Sequence, residues 1–285
     1  MENLDNRYQR HAEGCCAGLG VCDANTVGDS GGDLTTTQMP LRPRREWNDA
    51  SAEWRAGDFF KDLPPKAMSE FESHAAPFCC EATAVVFTEE QEACSVLFLL
   101  EGRVKLTMNS SEGKRLTLGI ARPGDMLGLA AVITGSSQQV TAVAHFPCRI
   151  TSLPRAIFLD FLLRYPVAYH NSAHLLCVEC KRSSEQLRIL GLTLTASIKL
   201  ARLLLLWSAE GQRTELGARI HCSLTHEEIG ECIGVSRETV TRNFADLKHN
   251  ELVEQHGSTL SIPSLRALEV YAGKAEGRRV ETHSG

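Results

Sequence analysis

Between positions 237 and 242 the chain places Arg237, Glu238, Thr241 and Arg242. These are the side-chain types that read base edges. Arginine offers paired donors to the two acceptors of guanine, a carboxylate accepts from the cytosine amino group, and threonine serves either base. Their spacing of one and four residues puts them on one side of a helix. The flanking residues supply what such a helix needs. Thr225 and Glu228 have capping-box spacing for a first helix, and Ile229 and Ile233 share its apolar face. Gly234 suits a tight turn, and Ser236 is a good cap for the second helix. Val240, Phe244 and Leu247 then repeat at i, i+4 and i+7, the buried stripe of that helix. The pattern predicts a helix-turn-helix whose second helix enters the DNA major groove with its first turns. Lys248, with Lys199 or Arg202, would supply positive charge. The plain alternative is an amphipathic helix with a solvated charged face.

The next residues favour the first reading. Leu252 to Glu254, then His256-Gly257-Ser258, then Thr259 to Ile262 read as a small hairpin, the order of a winged helix-turn-helix. The run GVSRETVTRNFADLKHNELVEQHGSTLSIP resembles the DNA-binding domain of the Crp/Fnr family of bacterial transcription regulators. Upstream, LEGRVKL, EGKRLTLGIARPGDMLGLAAV and TAVAHFPCRITSLP resemble that family's β-roll sensor, and YPVAYHNSAHLLCVECKRSSEQLRIL its dimerisation helix. The resemblance extends from Pro64 to Ala272. It implies an α+β chain with a cyclic-nucleotide-binding-like β-roll at 61–165, a dimerisation helix at 166–191 and a winged helix-turn-helix at 192–273. An arm at 1–60 and a tail at 274–285 flank them. It also implies a cytoplasmic homodimer that binds double-stranded DNA at a two-fold site and works with RNA polymerase. Thr225, Ser236, Arg237, Glu238, Thr241, Arg242 and Lys248 are its DNA-binding positions.

Composition agrees. The chain has 285 residues, enough for two domains and a tail, and 43% are hydrophobic. No apolar run approaches the ~20 residues that cross a membrane. The start, MENLDNRYQRHAEG, has no apolar core of a secretion signal. Eleven cysteines without an export signal point to thiols, a metal site or redox sensing, not a disulfide framework. Val21 to Pro43 is rich in Gly, Asp, Thr and Pro and is expected to be disordered. Trp47, Trp54, Phe59 and Phe60 are candidates to dock the end of this arm, and Ala67 to Ser73 to form a short helix. Strands are expected at Val85–Phe87, Val96–Leu100, Arg103–Met108 and Arg115–Ala121.

Tyr169, Ala173, Leu176, Cys180, Ser183, Leu187 and Leu190 are spaced alternately by four and three. That is an a/d seam for pairing with a second copy. The alternative is packing of the same face on its own domain.

Cyclic-AMP-binding members of the family hold ribose and phosphate with a Gly-Glu pair and an Arg-Ser pair, and contact the base with hydroxyls of the long helix. The matching positions here are Gly128 and Leu129, Gln139 and Val140, and Ser183 and Ser184. Without a carboxylate at 129 and a guanidinium at 139, a buried cyclic phosphate lacks its charge partner. The expectation is an effector other than cyclic AMP, or none. Iron–sulfur members use an N-terminal cysteine group plus one β-roll cysteine. Cys15, Cys16, Cys22 and Cys148 are the counterparts, in different spacing. A cluster, thiol redox sensing and plain packing all stay open for them.

Two features pull the other way. The net charge is −5, and Glu227, Glu228, Glu231 and Glu251 crowd the DNA-reading segment. A second function class is therefore a redox or metal-binding cysteine protein with an incidental helix-turn-helix. No Ser/His/Asp order or phosphate loop supports an enzyme.

Overall fold

The computed structural model describes residue 55 and residues 57–192, 195–209 and 211–273. The expectations for Trp47, Trp54, Cys15, Cys16, Cys22 and the tail lie outside these residues.

In chain order the elements are α1 (Pro65–His74), β1 (Ala76–Cys80), β2 (Val85–Phe87), β3 (Ser95–Glu101), β4 (Val104–Asn109) and β5 (Arg115–Ala121). Then come β6 (Met126–Leu127), α2 (Leu129–Thr134), β7 (Thr141–Ala144), β8 (Cys148–Pro154), α3 (Arg155–Arg164) and α4 (Pro166–Gly191). The C-terminal part holds α5 (Ala196–Ser208), β9 (Gln212–Arg213), β10 (Ala218–His221), α6 (His226–Ile233) and α7 (Arg237–His249). It ends with β11 (Glu254–His256), β12 (Thr259–Ile262) and α8 (Leu265–Tyr271). This is an α+β chain: a β-roll, a long helix and a winged helix-turn-helix. All four strands expected between 85 and 121 are present, within a residue or so at each end. The short helix expected at 67–73 is α1.

The chain divides into two compact units. Among the described residues, the first comprises those up to Val104, with Ala121–Gln139 and Ala144–Ser172. Its antiparallel sheet has the order β1-β8-β3-β6. Val96 to Leu100 of β3 are all buried, because this strand is covered on both faces. Phe59, Phe60, Phe71, Phe98, Phe158 and Phe161 make the core of the unit. Phe71 meets Phe98 edge-on at 4.8 Å between centroids, and Phe60 at 5.0 Å. Such pairs add to the burial of the rings themselves. Asn171 fastens the Phe59 turn by donating to the carbonyls of Phe59 and Lys61, at 2.9 and 2.7 Å.

The second unit comprises Lys105–Ile120, Val140–Val143 and the described residues from Ala173 onward. Strands β7, β4 and β5 adjoin in that order. The C-terminal strands form a separate sheet, β11-β12-β10-β9. Leu200, Leu203 and Leu204 of α5 pack with Ile229, Ile233, Val240, Phe244, Leu247, Val253, Leu260 and Leu268 in one apolar core.

Candidate nucleic-acid interface

The helix-turn-helix rests on reciprocal caps. Thr225 Oγ1 accepts from the Glu228 amide at 3.2 Å, and Glu228 Oε2 accepts from the Thr225 amide at 2.9 Å. Both halves of the capping box are therefore made. Helix α6 ends at Gly234, whose φ of 67° is left-handed and favours glycine. Gly230 is needed for a different reason: a Cβ there would lie 2.5 Å from the Val235 carbonyl oxygen. The turn thus passes against α6 at a distance that only glycine permits. Ser236 Oγ then accepts from the Thr239 amide at 3.3 Å and starts α7.

Val240, Asn243, Phe244 and Leu247 bury one face of α7. Arg237, Glu238, Thr241, Arg242 and Lys248 are exposed. Hydrogen bonds from its own backbone amide and from Ser236 hold the Glu238 carboxyl below its ordinary range. It is therefore an anion, the form that accepts from a base amino group. Lys248 Nζ donates to Gln255 Oε1 at 2.8 Å and so links the end of α7 to β11.

Sequence reasoning missed His226. Its ring stacks on Phe244 at 5.1 Å with 5° between planes. Its Nδ1 lies 2.9 Å from Thr241 Oγ1, which itself donates to the Arg237 carbonyl at 3.0 Å. The Thr241 hydroxyl thus lies between the Arg237 carbonyl and the His226 ring. The one available signal was an imidazole at the first position of α6, and nothing local ties it to Phe244. Lys199 and Arg202 do not join the exposed cations of α7. Lys199 Nζ donates to the Ile233 carbonyl at 3.4 Å and Arg202 Nε to the Ala272 carbonyl at 3.3 Å. They satisfy carbonyls at helix ends.

Two family models match the chain. The cyclic nucleotide-binding domain matches residues 79–165 and the Crp-like helix-turn-helix domain residues 198–271. The chain belongs to the Crp/Fnr family. Among its curated relatives is a CRP-like cAMP-activated global transcriptional regulator of Mycobacterium tuberculosis, 24% identical over 75% of this chain and 95% of the relative. Another is the transcriptional activatory protein AadR of Rhodopseudomonas palustris, 27% identical over 67% of this chain and 79% of the relative. Among solved structures, FixK2 from Bradyrhizobium japonicum matches with a TM-score of 0.61 at 19% identity, covering 69% of this chain and 96% of that one. A CooA variant from Carboxydothermus hydrogenoformans matches at 0.62 and 20% identity, over 74% and 92%. These two similarities concern the fold.

The positions that the resemblance implies for an effector lie as follows. Gly128 has a φ of 75° and starts α2. A Cβ on it would meet Gln138 Nε2 at 2.7 Å, so the buried Gln138 amide lies directly on Gly128. Leu129 is buried, Gln139 is exposed and Val140 half-buried. Ser183 and Ser184 are exposed on α4, and Ser184 Oγ donates back to the Cys180 carbonyl at 3.0 Å.

Cys148 is buried, and its thiol is directed at the carbonyls of Arg103 and Phe146, at 3.1 and 3.0 Å. Burial raises its pKa. It faces Cys80 across the β1–β8 ladder, and burial pushes the Cys80 thiol up to about 11. Such thiols resist ionisation, the step that ligation and oxidation require. Cys15, Cys16 and Cys22, the cysteines that would share a cluster with it, lie outside the described residues.

Helix α4 shows two faces. Ala168, Ser172, Gln186 and Ile189 are buried. Tyr169, Ala173, Cys180, Ser183 and Leu187 of the seam are exposed, while Leu176 and Leu190 are half-buried. Most of the seam is therefore exposed, while Leu190 at its end lies against Gly234.

Proposed function

We propose that this chain is a sequence-specific, DNA-binding transcription regulator that acts as a dimer on a two-fold operator and answers to a signal other than cyclic AMP. The observation that carries the reading is the exposed row Arg237, Glu238, Thr241 and Arg242 at the start of α7, behind a fully capped α6. A recognition helix uses these first turns on base edges. Its relatives are regulators, and regulation rather than catalysis suits this chain too. Residues 61–165 act as sensor, 166–191 as dimerisation helix and 192–273 as reader, with RNA polymerase as the further partner at a promoter.

Leu129 and the Gln138 amide on Gly128 support a non-cyclic-AMP signal. Neither supplies the positive charge that a buried phosphodiester needs. The exposed seam of α4 supports the dimer, and two heads would then address half-sites about 34–36 Å apart.

The test is selection of a duplex from a random-sequence library, followed by anisotropy titration. Arg237→Ala should weaken binding to the selected duplex by about 1–3 kcal/mol and relax one base position. Unchanged affinity and unchanged sequence preference would remove the recognition-helix assignment.

A further inference from the structure

Helix α6 carries Glu227, Glu228 and Glu231 and no lysine or arginine. In a helix-turn-helix the first helix crosses the DNA backbone. Carboxylates beside phosphates oppose the charge neutralisation that gives DNA affinity. As it stands in the sequence, α6 is a poor surface for that task.

Two strands of the same compact unit meet this charge. Lys105 of β4 donates from Nζ to Glu228 Oε1 at 2.7 Å, and both side chains are nearly buried, at 14% and 13% exposure. Thr117 of β5 is fully buried and donates from Oγ1 to Glu231 Oε2 at 2.6 Å. Glu228 and Glu231 lie three apart, on one face of α6. Burial alone would raise the Glu228 pKa, yet the hydrogen bonds from Lys105 and Thr225, with the Lys105 charge, leave it lowered. Glu228 thus serves two elements: Oε2 caps α6 and Oε1 takes the Lys105 ammonium. A lysine buried to this degree, on a carboxylate 123 residues away, is a specific placement.

We infer that Lys105 and Thr117 are positioning residues of the DNA-binding head: they hold and offset the acidic face of α6 so that this helix can lie against phosphate. The inference rests on the DNA-binding reading.

The experiment uses the full chain and two fluorescent duplexes, one selected by the wild type and one scrambled. Lys105→Met leaves Glu228 uncompensated and should lower affinity for both duplexes roughly fivefold, the scale of one charge about 4 Å from another in bulk water. Glu228→Gln keeps an acceptor at the capping position and should match or exceed wild type. The double variant should recover wild-type affinity. If Lys105→Met binds as wild type, the inference fails. It fails too if the double variant stays as weak as Lys105→Met, because Lys105 would then touch phosphate directly. A rise in affinity for Lys105→Met would make the contact a restraint and also overturn it. Should Lys105→Met lose its folded circular dichroism, Thr117→Val with Glu231→Gln as rescue gives the same comparison at the second contact. Arg237→Ala separates the levels. A loss there with no effect at Lys105 removes only this inference, whereas no selectable duplex removes the DNA reading.

Discussion

Helices α4 and α7 both leave a face in water, and the two faces differ in kind. Helix α7 buries its other face along its length, whereas α4 has buried residues only toward its ends, at Ala168, Ser172, Gln186 and Ile189. On α7 the buried face is Val240, Phe244 and Leu247, and the exposed one is Arg237, Glu238, Arg242 and Lys248. On α4 the buried positions include Ala168, Ser172 and Ile189, and the exposed face offers Tyr169 at 62% and Leu187 at 70%. A solvated charged face costs a folded protein little, whereas an apolar stripe of this length is unusual on a monomer. On the proposed reading the two faces take different partners: a polyanion on α7, and an apolar surface on α4. The a/d spacing makes a second copy the natural occupant of the latter.

The largest expected effect comes from spoiling the apolar face. Leu187→Asp or Leu176→Asp puts a carboxylate where the paired helices would exclude water. Each variant should sediment as a monomer at micromolar concentration, keep its helical circular dichroism and lose nearly all binding to a two-half-site duplex. A monomeric wild type that still binds that duplex at full strength would end the comparison, since α4 would then have no partner.

The faces of both helices were legible in the sequence because each depends on local spacing. The capping box at Thr225 and Glu228, the Gly234 turn and the Ser236 cap are also local, and all are present. The wing was legible as a hairpin, but its sheet has four strands. Gln212–Arg213 and Ala218–His221 are too short to show an alternating pattern. Other gaps lie in long-range contacts. Lys105 meets Glu228 and Thr117 meets Glu231 across more than a hundred residues. Lys199 and Arg202, read from charge alone as candidates for phosphate, instead cap helix ends from α5. Charge type is visible in a sequence, but the direction a long side chain takes is set by the tertiary fold.

Substitutions on the charged face of α7 should produce two kinds of loss. Arg242→Ala should cost about 1–3 kcal/mol and relax one base position of the selected duplex. Lys248 is held by Gln255 at the far end of the helix. Lys248→Ala should weaken the selected and scrambled duplexes by the same smaller factor and make the salt dependence shallower by roughly one counterion. Equal and sequence-blind losses for both variants would reduce the face to a phosphate contact.

The smallest effect is a pH slope, and its sign follows from His226. Burial, with Lys248 and Arg237 nearby, lowers the pKa of this imidazole below its usual 6.5. Between that lowered value and 6.5 the native state binds fewer protons than the unfolded chain, so His226 destabilises the fold as pH falls through 6.5. Glu228 is also depressed, but its stabilising contribution persists above the ordinary carboxylate value and is lost only as pH falls through its lower folded value. The two groups therefore act in separate windows. DNA reverses the sign for His226. Phosphates at the start of α6 favour the charged imidazole, so binding takes up a proton. Affinity for the selected duplex should then rise a few-fold from about pH 7.5 to about pH 6, while thermal stability falls slightly. His226→Gln should flatten both slopes and relax the position read beside Thr241, because the Nδ1 contact and the stack on Phe244 go with it. Parallel pH profiles for wild type and His226→Gln would place His226 outside the interface and leave the charged face to α7 alone.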